Sequence, residues 1–468
     1  MAVAKTPIVR TGERESKEQG SHEMQADRHK VHITRIRDSL AGGLHSVKNE
    51  DYFHGFMPKE QTYDLLVKVG DFLVRQAVRL ELKSFAAVNY SYSQFHNLNK
   101  TSALLLQEQF IISVRKSLPK DTGEEKNKRD DMELRHIPIK YSRRAKLYYV
   151  RLYGFKLVSG LIEYHRRNHI AFDEEGTQIK RPVKRAEWQL NHEQIVKTKK
   201  LGDGAFGDVY KGVLHCGLID SKEVAIKTIL GTVSTEENEK LFREAMLMRR
   251  LIHPNVVMLV GVASNEEPVM IVMEFAQGGS VLDAVQQQPG PTIYVRIKYC
   301  NHAAQGLSYL SKQGIIHRDV AARNCLIGKH DTAKISDFGL SIVGTQKKEK
   351  TLKKVPVRYL APETLKKREY TVKTDVWSFG VFMWEVFHDG KEPYGEMNAK
   401  EVRKYVLAGN TLDNESDHYP QHMWSITMSC FNRDPASRPA FDAIAEEILS
   451  GIEDFRGNRK FIERLKFW

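Results

Sequence analysis

Cysteine is sparse in this chain. Cys216, Cys300, Cys325 and Cys430 are the four among 468 residues, and they form neither a C-x-x-C spacing nor a short, dense framework, which argues against a disulfide-stapled secreted module. Long apolar runs are missing too. Nothing approaches the roughly 18 to 20 apolar residues needed to cross a bilayer, and the amino terminus, MAVAKTP, has no apolar h-region. The expectation is a cytoplasmic chain, neither secreted nor transmembrane. Alanine stands at position 2, where N-myristoylation needs glycine. Residues 1–51 contain no Phe, Tyr or Trp, and so polar a stretch cannot bury enough apolar area to offset its ordering entropy. It is predicted to be disordered, with Ile33, Ile36 and Leu40 spaced for a short docking helix. Acidic residues are in deficit, 59 against 72 basic, for a net charge of +13. No zinc-finger spacing or aromatic RNA-binding motif accompanies that charge, so nucleic acid is not expected as a partner. Phosphorylated or acidic proteins fit better.

What is present is a globular composition, 41% hydrophobic and 28% charged, in a chain long enough for two folded units. Aromatics begin at Tyr52-Phe53-His54-Gly55 and open a region of mixed strand-like and helix-like runs. A polar stretch over 171–187 reads as linker. From Trp188 onward come Val/Ile-rich strands and then a mostly helical half, the order of a small sheet lobe joined to a larger helical one. Residues 375–387, DVWSFGVFMWEVF, are apolar nearly all round, as a fully buried helix should be.

Residues 201–209 read LGDGAFGDV, a G-x-G-x-x-G whose glycines let backbone amides approach phosphate oxygens. By itself that string suits a structural turn equally well. Downstream, Val224-Ala225-Ile226-Lys227 ends an apolar strand in a cation that needs an anion, and Glu244, in an amphipathic run over 241–251, is the candidate carboxylate. His317-Arg318-Asp319-Val320-Ala321-Ala322-Arg323-Asn324 puts a carboxylate and an amide five residues apart. Asp337-Phe338-Gly339 and Ala361-Pro362-Glu363 follow. Phosphoryl transfer requires a group to orient the attacking hydroxyl, oxygen ligands for magnesium, and cations for the transferred charge. Asp319, the pair Asn324 and Asp337, and Lys227 are of the right types in that order. Arg438 is the expected buried partner of Glu363.

The order and spacing of these motifs over 188–450 resemble the protein kinases. Ala321-Ala322-Arg323 and Val355-Pro356-Val357-Arg358 are similar to the tyrosine-kinase branch. That resemblance implies ATP, with Mg2+ or Mn2+, held by Leu201, Gly202, Gly204, Ala205, Phe206, Gly207, Val209, Ala225 and Lys227. It also implies a gatekeeper at Met273 and adenine contacts at Glu274 and Ala276. Catalysis would rest on Asp319, Arg323, Asn324, Lys227 and Glu244, and the metal on Asn324 and Asp337. A pseudokinase, an adaptor that binds nucleotide and phosphotyrosine proteins without chemistry, is the rival reading.

Ahead of it, Tyr52-Phe53-His54-Gly55 and Gly70-Asp71-Phe72-Leu73-Val74-Arg75 resemble the Src-homology-2 domain, which implies phosphotyrosine binding by Arg75, Lys59 and His136. Gln76-Ala77 stands for a frequent Glu-Ser pair, Pro138 for a basic residue, and the interval from Arg75 to His136 is long, so residues 78–107 are expected to be an insertion. Between Phe85-Ala86-Ala87-Val88-Asn89 and Phe110-Ile111-Ile112-Ser113-Val114, the second is preferred as the third strand.

The whole resembles the Fes/Fer subfamily of non-receptor tyrosine kinases, in a short form without the amino-terminal membrane-bending region. The expected fold class is multidomain α+β: a Src-homology-2 fold, a central antiparallel sheet flanked by two helices, followed by a bilobal protein-kinase fold. The expected division is 1–51 disordered, 52–170 the phosphotyrosine module, 171–187 linker, 188–450 catalytic domain and 451–468 a basic tail. Expected partners are phosphotyrosine proteins and tyrosine-bearing substrates, with peripheral contact of the tail at the inner face of the plasma membrane, in a monomer. No tyrosine lies between Gly339 and Pro356, where Lys347, Lys348, Lys350, Lys353 and Lys354 cluster. Glu349, a phosphorylated Thr345 or Thr351, or docking of the first domain are the candidates for ordering that segment.

Overall fold

The computed structural model describes residues 22–26, 29–35, 46–81, 105–117, 132–204, 207–217, 219–228, 235–349 and 356–457. The chain forms two compact units, Met1–Arg185 and Ala186–Trp468.

In the first unit the strand Asp71–Glu81 pairs antiparallel with Leu105–Ser117, which pairs in turn with Met132–Pro138. Phe72, Val74, Ile112 and Val114 point into one core, as the two-residue period of a strand requires. The helix Val158–Arg167 covers it with Val158, Leu161 and Ile162, an i, i+3, i+4 stripe. Its counterpart near the start is a single turn, Thr62–Leu65. A smaller sheet, Lys140–Ser142, Leu147–Val150 and Tyr153–Phe155, follows.

Several expected boundaries move. The ladder runs on to the pair Glu81↔Leu105, so the insertion shrinks from 78–107 to 82–104, and those residues, with Phe85 to Asn89, lie outside the described ones. The added rungs run from Ala77↔Gln109 to Glu81↔Leu105 without a break in register. Within the stretch expected to be disordered, His22–Ala26 pairs with His29–Arg35, which joins Tyr153–Phe155 in parallel. The alternation in Lys30-Val31-His32-Ile33-Thr34 suits a strand and prevails over the helical spacing that ends in Ile36 and Leu40, both outside the described residues. Val47 is already in the core. The presumed linker is built in: Phe172 and Ile179 are buried in the same core, and Arg181–Pro182 pairs with Asp71 and Phe72. Their apolar area outweighed the polar composition around them.

The second unit opens on a six-stranded sheet in the order Gln189–Leu190, Leu259–Ala263, Met270–Glu274, Ser221–Thr228, Gly207–His215, Ile195–Gly204. One helix, Thr235–Arg249, packs on it. The rest is helical, centred on Ile293–Lys312 and Val372–Phe387. The latter is buried from Thr374 to Phe387. The last helix, Phe441–Gly457, passes the expected end of the domain at 450. Residues 458–468, and with them most of the basic tail, lie outside the described residues.

Candidate active site

Lys227 stands near the end of Ser221–Thr228, whose last five residues are buried. Its Nζ donates to Glu244 Oε1 at 2.8 Å and to Asp337 Oδ1 at 3.1 Å. Lys227 and Glu244 are each 6% exposed at the side chain, so neither charge would persist there alone. Burial opposes the ammonium, but the two carboxylates outweigh it and the Lys227 pKa is raised. Burial pushes Glu244 up, with Lys227 pulling back. Asp337 is also opposed by burial, yet Lys227 holds it below the usual carboxylate range. Three elements distant in sequence are thereby locked to one point.

The loop carrying Asp319 is held from beneath. His317 and Arg318 both donate their backbone N–H to the carboxylate of Asp375, at 2.7 and 2.9 Å. His317 Nε2 meets the Ser336 carbonyl at 2.9 Å. Arg318 has φ of +72° and Asp337 of +59°, left-handed conformations that cost a non-glycine residue of order 1 kcal/mol or more. Fully buried Asp375 offsets that strain at Arg318 through its hydrogen bonds. Its own carboxyl is pushed up to about 6 by burial. Glu385, on the same helix, accepts from the Ala322 N–H and the Tyr359 hydroxyl.

Asp319 itself is fixed on both oxygens. Arg323 pairs with Oδ1, and Asn324 Nδ2 donates to Oδ2 and to the Asp319 carbonyl, each at 2.8 Å. With its nitrogen so committed, Asn324 offers its amide oxygen, and Asp337 offers Oδ2. Two hard oxygen donors suit magnesium, which keeps phosphate and water oxygens in its other positions. Among the described residues there is no group of three or more His, Cys, Asp or Glu that could hold an ion.

On the nucleotide side, Ile195–Gly204 and Gly207–His215 form a hairpin with Gly202 opposite Val209 and Gly204 opposite Gly207. The space where a Cβ on Gly202 would project is open to 4 Å, so backbone can be approached closely there. Ala205 and Phe206 at its tip lie outside the described residues. Leu201 is exposed. Val209 pairs with Lys227, and Ala225 with Met273. The Glu274 N–H donates to the Met258 carbonyl, so Glu274 can offer adenine its carbonyl and not its N–H; Ala276 follows two residues on. Farther off, Arg438, fully buried, grips Glu363 through both terminal nitrogens at 2.7 and 2.8 Å.

A second cluster lies in the first unit. Arg75 is buried; its Nε donates to Ser113 Oγ at 3.1 Å and Nη1 to the Met57 carbonyl at 3.1 Å. Ser113 Oγ also meets His136 Nδ1 at 2.9 Å. Burial, with the charges of Arg75 and Lys59, pushes His136 down to about 4. Lys59 is exposed at the rim. Gln76 is buried and by strand alternation faces the opposite side from Arg75.

Asp375, Glu385 and Ser113 were not among the residues singled out from the sequence. The first two are the only acids in the apolar run 375–387, and a buried carboxylate must have donors, so that signal was available. Ser113 carried none.

The model of the family described as protein tyrosine and serine/threonine kinase matches residues 195–448. Fer-related kinase 1 of Caenorhabditis elegans is 33% identical over 424 residues, covering 90% of this chain and 98% of that protein. Spermatocyte protein spe-8 of the same nematode is 36% identical over 375 residues, 79% of this chain and 65% of that one. Tyrosine-protein kinase Fer of Mus musculus is 31% identical over 420 residues, and the chain spans 45% of its length.

Proposed function

The chain belongs to the protein tyrosine and serine/threonine kinase family and is a protein-tyrosine kinase related to Fer and Fps, and from that premise we propose that it transfers the γ-phosphate of ATP to tyrosine hydroxyls of proteins, steered by a Src-homology-2 domain that binds phosphotyrosine. The observation that carries the catalytic part is the convergence of Lys227, Glu244 and Asp337 beside the clamped Asp319. In this reading Lys227 binds the α- and β-phosphates, with Glu244 fixing its position. Asp319 accepts the hydrogen bond of the incoming phenol and takes its proton as the new P–O bond forms. Arg323 keeps the Asp319 carboxylate aimed. Asn324 and Asp337 would hold magnesium, which screens the phosphate charge when bound. Positioning and electrostatics supply the catalysis, since the protein forms no bond to the phosphoryl group.

For the first unit, what supports phosphotyrosine binding is the buried Arg75 beside Ser113 and His136. Among the described residues no carboxylate is ion-paired with Arg75, and a dianionic phosphate would meet a guanidinium bidentately. A cytoplasmic monomer belongs to the same proposal. Among the described residues no helix is long and apolar enough to cross a membrane.

The test is phosphate transfer from magnesium-ATP to a glutamate–tyrosine polymer. Asp319→Asn is expected to lower kcat by about 10²- to 10⁴-fold while nucleotide binding persists. Undiminished transfer by that variant would remove the enzymatic reading of this cleft.

A further inference from the structure

Between Asp337 and Glu363 the chain has a single acidic residue, Glu349, set among five lysines. Its placement is closely determined. Gln346–Lys348 pairs with Glu369–Thr371 in the register Gln346↔Thr371, Lys347↔Tyr370, Lys348↔Glu369, and the Glu349 N–H then donates to the Arg368 carbonyl at 3.1 Å. That ladder delivers the Glu349 carboxylate to Arg318 Nη1 at 3.2 Å. The same guanidinium nitrogen donates to the Leu340 carbonyl at 3.2 Å, and the guanidinium lies over the Tyr370 ring at 4.1 Å from its centroid.

Arg318 is therefore a hub. Its side chain is 9% exposed, so its charge needs compensation. Its backbone is in the left-handed region and leads directly into Asp319. Whatever fixes this guanidinium fixes the entry to the catalytic loop. It also fixes the segment 340–349, through Leu340 at one end and Glu349 at the other. Tyr370 is buried and packs against the cation, so its hydroxyl is not free to be modified.

We propose that Glu349 is a positioning residue for phosphoryl transfer: a permanent internal anion that holds the activation segment to Arg318, so that this kinase is active without phosphorylation of that segment. The inference rests on the kinase reading above. A carboxylate brings one negative charge where a phosphate would bring nearly two. Here the β-ladder compensates, because it presets the carboxylate at its partner instead of requiring charge to gather a loose segment.

The experiment uses the full chain after exhaustive phosphatase treatment. The wild type is expected to phosphorylate the tyrosine polymer at once, with no lag and no gain from preincubation with ATP. Loss of one partner from a largely buried charged hydrogen bond predicts a kcat for Glu349→Gln lower by about 10- to 100-fold, with the KM for ATP within about twofold. Glu349→Asp should recover part of that loss. Glu349→Tyr should start slowly and accelerate as the new side chain is phosphorylated, which a purely structural role would not produce. A second readout needs no activity: tryptic cleavage after Lys347 or Lys348 should quicken at least about tenfold in Glu349→Gln, with the thermal midpoint unchanged. Wild-type kcat and unaltered cleavage in that variant would overturn the proposal, as would loss of wild-type activity on phosphatase treatment. A wild type that transfers no phosphate, yet shows the cleavage difference, would instead sink the kinase reading and leave the Glu349–Arg318 tie standing.

Discussion

Arg75 is a buried cation that, among the described residues, forms no salt bridge and feels only the more distant charge of Glu60. Burial holds its pKa below the ordinary value, though a guanidinium still keeps its proton at any physiological pH. The molecule carries that cost unless an anion arrives. Replacing Arg75 by Lys keeps the charge but discards the planar fork, so the Kd for a phosphotyrosine peptide should rise by about 10- to 100-fold, read by calorimetry. Equal affinity in the variant would delete the phosphotyrosine part of the function and leave the kinase part intact. At the same scale, Lys227, Glu244 and Asp337, and Asp319 with Asn324, were singled out in the sequence by residue type and spacing, and the structure brings each set into contact. Asp375 was not singled out, because its partners are backbone N–H groups of His317 and Arg318, which every residue possesses and no side-chain pattern reveals. Of the pair Gln76-Ala77, strand alternation puts Ala77, which has no hydroxyl to offer, on the face of Arg75 and Gln76 on the other.

At the scale of elements, type was easier to foresee than extent. The strand at Phe110 to Val114 was expected, and the structure lengthens it to Leu105–Ser117, since backbone pairing continues wherever a partner strand runs alongside. The segment 171–185 shows the opposite failure. Its composition is that of a linker, but Phe172 stacks on His165 at 4.0 Å between ring centroids, and the His54 ring meets the Val183 carbonyl. Two apolar anchors and a short parallel pairing suffice to dock a polar stretch. Phe172→Ala should therefore destabilise the first unit by about 3–5 kcal/mol, measured by urea unfolding of the full chain. A true linker residue would give a change within about 0.5 kcal/mol.

For the whole molecule, two half-buried histidines set an acid limit. His136 and His302 are both held down to about 4, mainly by burial, against an unfolded value near 6.5. Between those values the unfolded chain binds more protons, so the stability these groups contribute is full above about pH 6.5 and is lost as pH falls towards 4. Asp375 acts in the reverse sense, since its folded value near 6 exceeds the unfolded one and protonation costs the folded state less. It belongs to the second unit, as His302 does, so the two shifts there oppose each other, whereas His136 in the first unit has no raised carboxylate against it among the described residues. Acid titration followed by circular dichroism and by fluorescence of the five tryptophans, all of which lie in the second unit, should show the first unit failing at the higher pH. Simultaneous loss, or loss of the second unit first, would contradict this assignment. The sequence by itself determined the chemistry, because a phosphate loop, a strand-end lysine and the loop motifs around Asp319 and Asp337 are local strings whose residue types cannot be exchanged. Only the tertiary structure decided how that chemistry is supported: which buried carboxylate props the catalytic loop, that a linker is part of a core, and that Glu349 reaches Arg318. Glu349 and Arg318 are about 30 positions apart, Asp375 and His317 58, and Val183 and His54 129, and local pattern carries no information about which distant groups burial will bring together.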